Sequence, residues 1–106
     1  MLKVVIMPVA EADIAEAFQW WHDNRSLEQA HRWYLEIYPA IASLSESAGR
    51  RPLSPEAAKL GMDIREIYFG IGLHPTHRVV FFIEKGTVKV LRVRHLARGH
   101  LRPSDL

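Results

Sequence analysis

Hydrophobic positions along the chain change their spacing twice, and these changes separate a strand, a helical region and a region of strands. Residues 3–7 are mostly apolar and predict a first strand, which ends where Pro8 removes a backbone donor. Over 9–22 the apolar residues recur three or four positions apart with acidic residues between them, which is typical of a half-buried helix. Residues 23–25, with the sequence Asp-Asn-Arg, predict a turn.

A second helix is predicted to begin at Ser26, because Ser26 and Gln29 match the capping-box pattern. Pro39 lies inside this segment, where a proline removes one hydrogen bond and clashes with the preceding turn. We therefore expect a kink or a break near Tyr38. Gly49 is the predicted C-terminal cap. The two helices together predict an antiparallel hairpin.

Short apolar runs separated by turn residues fill the second half of the chain. Residues 54–56, with the sequence Ser-Pro-Glu, predict a single helical turn that ends at Gly61. Three runs rich in Val, Ile, Phe and Tyr follow, at 64–70, 77–84 and 87–95. Runs of this composition predict strands, and here they predict a meander.

The dipeptide Lys85-Gly86 predicts a tight hairpin loop, which sets the register of its two flanking strands from Glu84 opposite Thr87 onward. Continued without interruption, this register gathers polar residues at the end of the strands farthest from the loop. One face of that end carries His77, Arg92 and Arg94, and the other carries Arg78 and His95. We take this cationic end of the sheet as the candidate site.

Length and composition place the chain among ordinary globular proteins. It has 106 residues, 48% of them hydrophobic and 25% charged. That length supports one domain with a modest core. We expect a single domain over 1–106, with 100–106 as the one candidate for a flexible tail.

The chain contains no cysteine, which excludes a disulfide framework, a thiolate metal site and a cysteine nucleophile. This usage fits a reducing compartment. The apolar run at the N-terminus is too short for a signal core, and no run approaches the ~18 to 20 residues that a membrane helix needs. We expect a soluble, unprocessed, cytoplasmic protein that does not enter a membrane.

Charge is divided unevenly along the chain. Residues 1–49 carry three Lys or Arg against seven Asp or Glu, whereas residues 74–106 carry seven against two, with four of the six histidines. A basic half indicates an acidic partner, either a nucleic acid or a protein with a negative surface. The alternative is a solvated basic rim that binds nothing.

Two histidines three positions apart, His74 and His77, are the only pattern that suggests a metal ligand pair. A zinc site uses three or four ligands, and no carboxylate or thiolate accompanies this pair. We interpret the segment as a turn, and we expect neither a metal ion nor a cofactor.

Three tryptophans suggest at first a platform for stacking on nucleic acid. Trp21 and Trp33 lie at helical spacing within the apolar stripes, so we expect both in the core between helix and sheet. Trp20 lies off the main stripe, and we expect it to be exposed and available for a protein contact.

Several segments in the right order carry a resemblance to a known family. The segments Ala10–Ala17, Ile64–Gly70, His77–Phe81 and Val90–Arg98 resemble the RelE/ParE superfamily of toxins from bacterial type II toxin–antitoxin modules, most of all its ParE-like, plasmid-stabilisation branch. The resemblance implies an α+β fold of order β-α-α-β-β-β. In that fold a helix hairpin lies on one face of a small antiparallel sheet, with the first strand beside the last.

The resemblance also implies a partner and two alternative activities. The partner is a cognate antitoxin, which wraps the toxin in a hetero-oligomer and covers its active surface. Toxins of the ParE branch inhibit DNA gyrase, whereas those of the RelE branch cleave messenger RNA on the ribosome. A third alternative is a relic that has lost its poisoning activity and only binds antitoxin. Fold alone does not distinguish these activities.

A ribonuclease without a metal needs cations at the phosphate and a group that titrates near neutral pH. Arg65, Arg78, Arg94 and His95 are the candidates for these roles. In the ribonuclease branch an aromatic residue near the end of the last strand is often part of the site. Here Leu96 follows His95, and this departure favours gyrase as the target.

Three of these residues also have a structural interpretation. His95 could instead hold the turn after the last strand by a hydrogen bond, and Arg65 and Arg78 could form salt bridges with Glu66 or with an acidic residue of the helices. For the surface that binds the partner we name five candidates: Arg92, Arg94, Arg98, His77 and Trp20.

Overall fold

A hairpin of two long helices packs on one face of a four-stranded sheet, as the α+β prediction requires. The computed structural model describes all 106 residues. Its main elements are β1 (Lys3–Ile6), α1 (Pro8–Asn24), α2 (Leu27–Ala42), α3 (Leu44–Ser47), α4 (Ala57–Leu60), β2 (Arg65–Phe69), β3 (His77–Glu84) and β4 (Thr87–His95).

The strand order in the sheet is β1-β4-β3-β2. Strands β2, β3 and β4 form the predicted antiparallel meander. Strand β1 lies beside β4, as expected, but runs parallel to it and pairs only with Thr87–Val90. The remainder of β4 is therefore an edge next to the helix hairpin.

Both long helices begin where the sequence predicts. Pro8 occupies the first turn of α1, where its missing N–H has no partner to lose. The backbone N–H of Gln29 donates to Ser26 Oγ over 3.1 Å, which confirms the predicted cap of α2. The turn predicted at 23–25 is shorter than expected, because α1 continues through Asn24.

At the end of α2 the predicted break does not occur, and the predicted cap is wrong. The helix continues through Pro39 to Ala42 without a break at Tyr38, since the fully buried side chains of Ile37 and Ile41 hold it on both sides of the proline. Gly49 is not a cap. It lies within a 3₁₀ turn, Ala48–Arg50, which follows α3.

The short helix α4 ends at Gly61, whose φ of +67° confirms the predicted left-handed cap. Ser54 does not cap this helix with its side chain. Instead its backbone carbonyl accepts a hydrogen bond from Ala57 N over 3.1 Å, and Glu56 precedes the helix. The side chain of Glu56 is therefore free to bind Arg78 and the N–H of Leu101.

A buried ion-pair cluster holds α4 on the sheet. Arg78 Nη1 donates to Glu56 Oε1 over 2.9 Å and to Glu66 Oε1 over 3.0 Å. The N–H of Leu101 donates to Glu56 Oε2 over 2.7 Å. Burial raises the pKa of Glu56, but the hydrogen bonds from Arg78 and Leu101 outweigh it and lower the pKa to about 2.

The segment after β4, which includes the candidate flexible tail at 100–106, makes defined contacts. The side chain of Leu101 is 3% exposed and packs in a small cluster with Ala57, Ile64 and Val80. Residues 103–105 form a 3₁₀ turn beside β4.

The register between β3 and β4 agrees with the prediction only near the loop. Lys85 and Gly86 both have positive φ, 49° and 75°, as a tight hairpin turn of this kind requires. Pairing follows the prediction from Glu84↔Thr87 as far as Phe81↔Val90. A bulge between Val80 and Phe81 then shifts the register by one residue.

The bulge makes the predicted grouping of polar residues wrong. An extra residue in one strand shifts the pairing, so that every residue beyond it lies opposite a different residue of the other strand. His77 therefore lies opposite His95 rather than Arg94, and Arg78 lies opposite Arg94. The polar residues still gather at the end of the sheet far from the loop.

The main core lies between the helix hairpin and the sheet. Trp33 is fully buried and Trp21 is 6% exposed, which confirms both as core residues, whereas Trp20 is 39% exposed, as predicted. No helix of the protein is both long and apolar enough to cross a bilayer.

Candidate functional site

A cleft of about 320 Å³ opens between α1 and the end of β4. It lies where β1 has ended and β4 has become an edge. Most of the predicted site residues line it: Trp20, His77, Arg92, Arg94, His95 and Arg98. The tertiary structure therefore brings together residues that the sequence placed on two faces of the sheet.

A row of four aromatic rings runs from the core to the mouth of the cleft. The ring centroids of Trp33 and His77 are 4.9 Å apart, those of His77 and His95 are 5.0 Å apart, and those of His95 and Trp20 are 5.6 Å apart. Such distances are typical of favourable ring contacts. The row fixes the two imidazoles relative to each other.

His77 is the buried member of the histidine pair, with 4% of its surface exposed. Burial, and then the charge of His95, lower the pKa of His77 to about 4. The imidazole is consequently neutral at neutral pH. It packs and hydrogen-bonds, with Nδ1 2.8 Å from Thr76 Oγ1, but it adds no positive charge to the cleft.

His95 ends β4 and holds the turn that follows. Its Nδ1 accepts a hydrogen bond from the N–H of Ala97 over 3.1 Å. In the neutral ring the proton must then lie on Nε2, which leaves one donor for a ligand. The half-buried imidazole of His95 can therefore position a partner group by a hydrogen bond.

Arg92 is tied to α1 by an ion pair that also closes the edge of β4. Its Nε donates to Asp13 Oδ2 over 2.7 Å, and its Nη2 donates to Asp13 Oδ1 over 3.0 Å. The backbone N–H of Val93 donates to the same carboxylate over 2.9 Å. Asp13 therefore provides the acceptor that β1, which has already ended, cannot provide.

The other two arginines of the cleft have looser acidic neighbours. Arg94 Nη1 lies 3.6 Å from Asp105 Oδ2, and Arg98 Nη1 lies 3.6 Å from Glu16 Oε1. Arg94 Nε is buried and has no hydrogen-bond partner. Three arginines thus face three acidic side chains, so the cleft carries little net positive charge.

Arg65 and Arg78, the remaining candidates, do not line the cleft. Arg65 Nη1 donates to the backbone carbonyl of Arg51 over 2.5 Å, rather than forming the alternative salt bridge with Glu66. The side chain of Arg78 is 7% exposed and bonded to Glu56 and Glu66, which matches its structural interpretation.

The sequence analysis missed two acidic residues of the site, Asp13 and Glu16. A signal for them was present, because Asp13, Glu16 and Trp20 are spaced so that they share one face of α1. This face turns toward the cleft. Nowhere do three His, Asp or Glu side chains converge in a way that could hold a metal ion.

Comparison with solved structures shows a likeness in fold. A chain of a solved structure described as "Chromosomal ParDE TA system from P. aeruginosa" superposes with a TM-score of 0.69. The two chains are 16% identical, and the match covers 90% of this chain and 96% of the other. No family model and no curated protein matches the sequence. The likeness supports the ParE/RelE-like fold that the sequence resembles.

Proposed function

We propose that this chain is the toxin of a type II toxin–antitoxin module, is neutralised in the cytoplasm by a cognate antitoxin, and acts by binding DNA gyrase and inhibiting it. The observation that carries the choice of gyrase is the pairing of the arginines in the cleft. Arg92, Arg94 and Arg98 each face an acidic side chain. A cleft so neutralised suits binding to a protein better than stabilisation of a phosphate transition state.

The fold supports the wider part of the proposal. The chain superposes over almost its full length on a chain of a ParDE TA system. We propose that the antitoxin covers the cleft and contacts the residues that line it and are accessible there. Of the residues predicted to bind the partner, Trp20 and Arg98 are the most exposed in the cleft. Arg92, Arg94 and His77 shape the floor.

One observation favours a second candidate, a ribosome-dependent endoribonuclease. His95 offers a free Nε2 in the cleft, and Arg94, which also lines the cleft, has a buried Nε without a hydrogen-bond partner. A general acid or base and one cation are part of such a site. Arg65 and Arg78, the other two members of the predicted catalytic set, are engaged elsewhere. This candidate is therefore the weaker one.

Two purified assays test the target. In the first, the chain is added to DNA gyrase with relaxed plasmid, and supercoiling is followed. In the second, it is added to translating ribosomes, and messenger cleavage is followed. We expect inhibition of supercoiling and intact messages. Message cleavage with normal supercoiling would replace the gyrase proposal by the ribonuclease one.

Variants of the cleft sharpen both assays. We expect Trp20→Ala and Arg98→Glu to weaken gyrase inhibition, because both side chains are exposed at the cleft. Lys85→Ala, in the hairpin loop at the far end of the sheet, is the matched control. His95→Ala in the message assay checks the rival, since loss of a general acid or base lowers a rate by ~10² to 10⁴.

Inducing the chain alone in bacteria tests whether it poisons cells at all. We expect growth arrest with DNA damage, relieved when the antitoxin encoded beside the chain is produced as well. Growth that is unaffected, together with retained antitoxin binding, would identify the relic instead.

A further inference from the structure

We propose that Asp105 is a built-in carboxylate ligand of the cleft, and that an acidic peptide segment of a protein partner binds there by displacing residues 102–106. The partner we name is the antitoxin, so that part rests on the proposed function. The chemistry of the exchange, one carboxylate replaced by another beside Arg92 and Arg94, is a property of this chain alone.

The carboxylate of Asp105 lies within ion-pair distance of both arginines but accepts no hydrogen bond from either side chain. Its Oδ2 lies 3.6 Å from Arg94 Nη1, and its Oδ1 lies 3.9 Å from Arg92 Nη1. The only hydrogen bond between this residue and an arginine side chain is made by its backbone carbonyl, which accepts from Arg92 Nη1 over 2.7 Å. Its carboxylate instead accepts from Arg102 N over 2.8 Å.

Leu101 is the last buried residue of the segment, and its N–H is bonded to Glu56. Beyond it, Asp105 is the residue that ties the segment to Arg92 and Arg94 of β4. Residues 102–104 are exposed, and Asp105 retains 27% of its side-chain surface in solvent. Partly exposed ion pairs contribute little to stability. A peptide carboxylate that makes a closer bond therefore has little to overcome.

The charges that remain after Asp105 leaves favour a carboxylate over a phosphate. Asp13 stays bonded to Arg92, and Glu16 stays near Arg98. Arg92 loses the carboxylate and the carbonyl of Asp105 but keeps Asp13, so only Arg94 is left without an acidic neighbour, and its Nε is already an unused donor. One uncompensated cation between two fixed acids matches a singly charged group, whereas a nucleic-acid backbone brings several charges that Asp13 and Glu16 would repel.

Calorimetric titration of the purified full chain with a capped peptide that carries a single glutamate between alanines, at low salt, tests the exchange. Asp105→Asn removes the charge but keeps an oxygen for Arg102 N and the carbonyl for Arg92. We expect this variant to bind the peptide on the order of three- to tenfold more tightly, the ratio expected for one or two partly exposed ion pairs. Ser104→Ala, an exposed neighbour, should bind as the original chain does.

Three results would overturn the proposal. Equal affinity in a folded Asp105→Asn variant would show that Asp105 does not compete. A gain that survives Arg94→Gln in the same background would place the peptide elsewhere. An equal or larger gain for inorganic phosphate would assign the site to phosphate instead.

Amide exchange in the original chain is a second measurement that needs no variant. Peptide binding should increase exchange at the N–H groups of Arg102 and Asp105, and unchanged exchange at saturating peptide would refute displacement. Neither readout involves poisoning of cells. If the chain is not toxic but the Asp105→Asn variant binds the peptide more tightly, the proposed function is refuted and the carboxylate exchange stands. If the chain is toxic and the variant binds no more tightly, the proposed function stands and the carboxylate exchange is refuted.

Discussion

Asp13 and Val93 are joined by a hydrogen bond of 2.9 Å at the point where β1 stops covering β4. The carboxylate of Asp13 also binds Arg92, and the side chains of the two ionic partners are only 11% and 17% exposed. One acidic residue of the helix therefore satisfies both an open strand edge and a cation of the cleft.

Replacing Asp13 by Ala should destabilise the protein by about 3 kcal/mol, because it leaves a largely buried cation and a strand N–H without their acceptor. Urea unfolding measures this loss. Glu16→Ala is the matched control on the same helix, and since its ion pair with Arg98 is mostly exposed we expect a change within about 0.5 kcal/mol. Equal losses in both variants would contradict the role given to Asp13.

The burial of His77 predicts that the protein loses stability at mildly acidic pH. The pKa of His77 is lowered from an ordinary 6.5 to about 4, so between these values the unfolded chain binds a proton that the folded chain refuses. Stability should fall as pH drops from 6.5 to 4, by about 3 kcal/mol in total. His77→Phe keeps a ring in place and should remove most of that fall.

Unfolding free energies at pH 7 and pH 4 provide the measurement for His77. His100→Gln, which removes an exposed imidazole, is the control and should retain the dependence on pH. An undiminished fall in the His77→Phe variant would mean that another group causes the acid sensitivity.

The buried cluster of Arg78 with Glu56 and Glu66 predicts a large effect on stability. Arg78→Met should cost about 4 kcal/mol, because it leaves two buried carboxylates without a cation. Adding Glu56→Gln and Glu66→Gln should recover part of the loss, since no unpaired buried charge remains.

Thermal or urea unfolding of these variants separates a structural Arg78 from a catalytic one. Arg65→Met is the control, because Arg65 makes a single hydrogen bond to a backbone carbonyl and should cost no more than about 1.5 kcal/mol. A fully stable Arg78→Met variant would show that the cluster does not hold α4 on the sheet.

Lys85 offers a route to a more stable protein. It adopts a φ of 49° in the hairpin loop, a left-handed conformation that a lysine adopts at some cost. Lys85→Asn should stabilise the protein by about 0.5 to 1 kcal/mol, because Asn followed by Gly suits this turn. Gly86→Ala is the opposite control and should destabilise, since Gly86 has a φ of 75°. A drop in stability with Asn would contradict the assigned turn.

The sequence by itself determined the elements and several of their ends. Helical spacing located α1 and α2, Ser26 marked the start of α2, and Lys85-Gly86 gave the hairpin loop with both flanking strands at their observed bounds. These features depend on residues a few positions apart, so the local sequence is enough to predict them. The segments that resemble the RelE/ParE superfamily also carried the fold order.

Only the tertiary structure decided which charges meet. The bulge beside Val80 changed which polar residues of β3 and β4 lie opposite each other. No local pattern in the sequence marks this bulge. The partners of Arg92 and Arg78, Asp13 and Glu56, lie 79 and 22 positions away in the chain. Which acid meets which base over such a separation depends on how helices and strands pack, so spacing could locate the cationic end but could not show that it is neutralised.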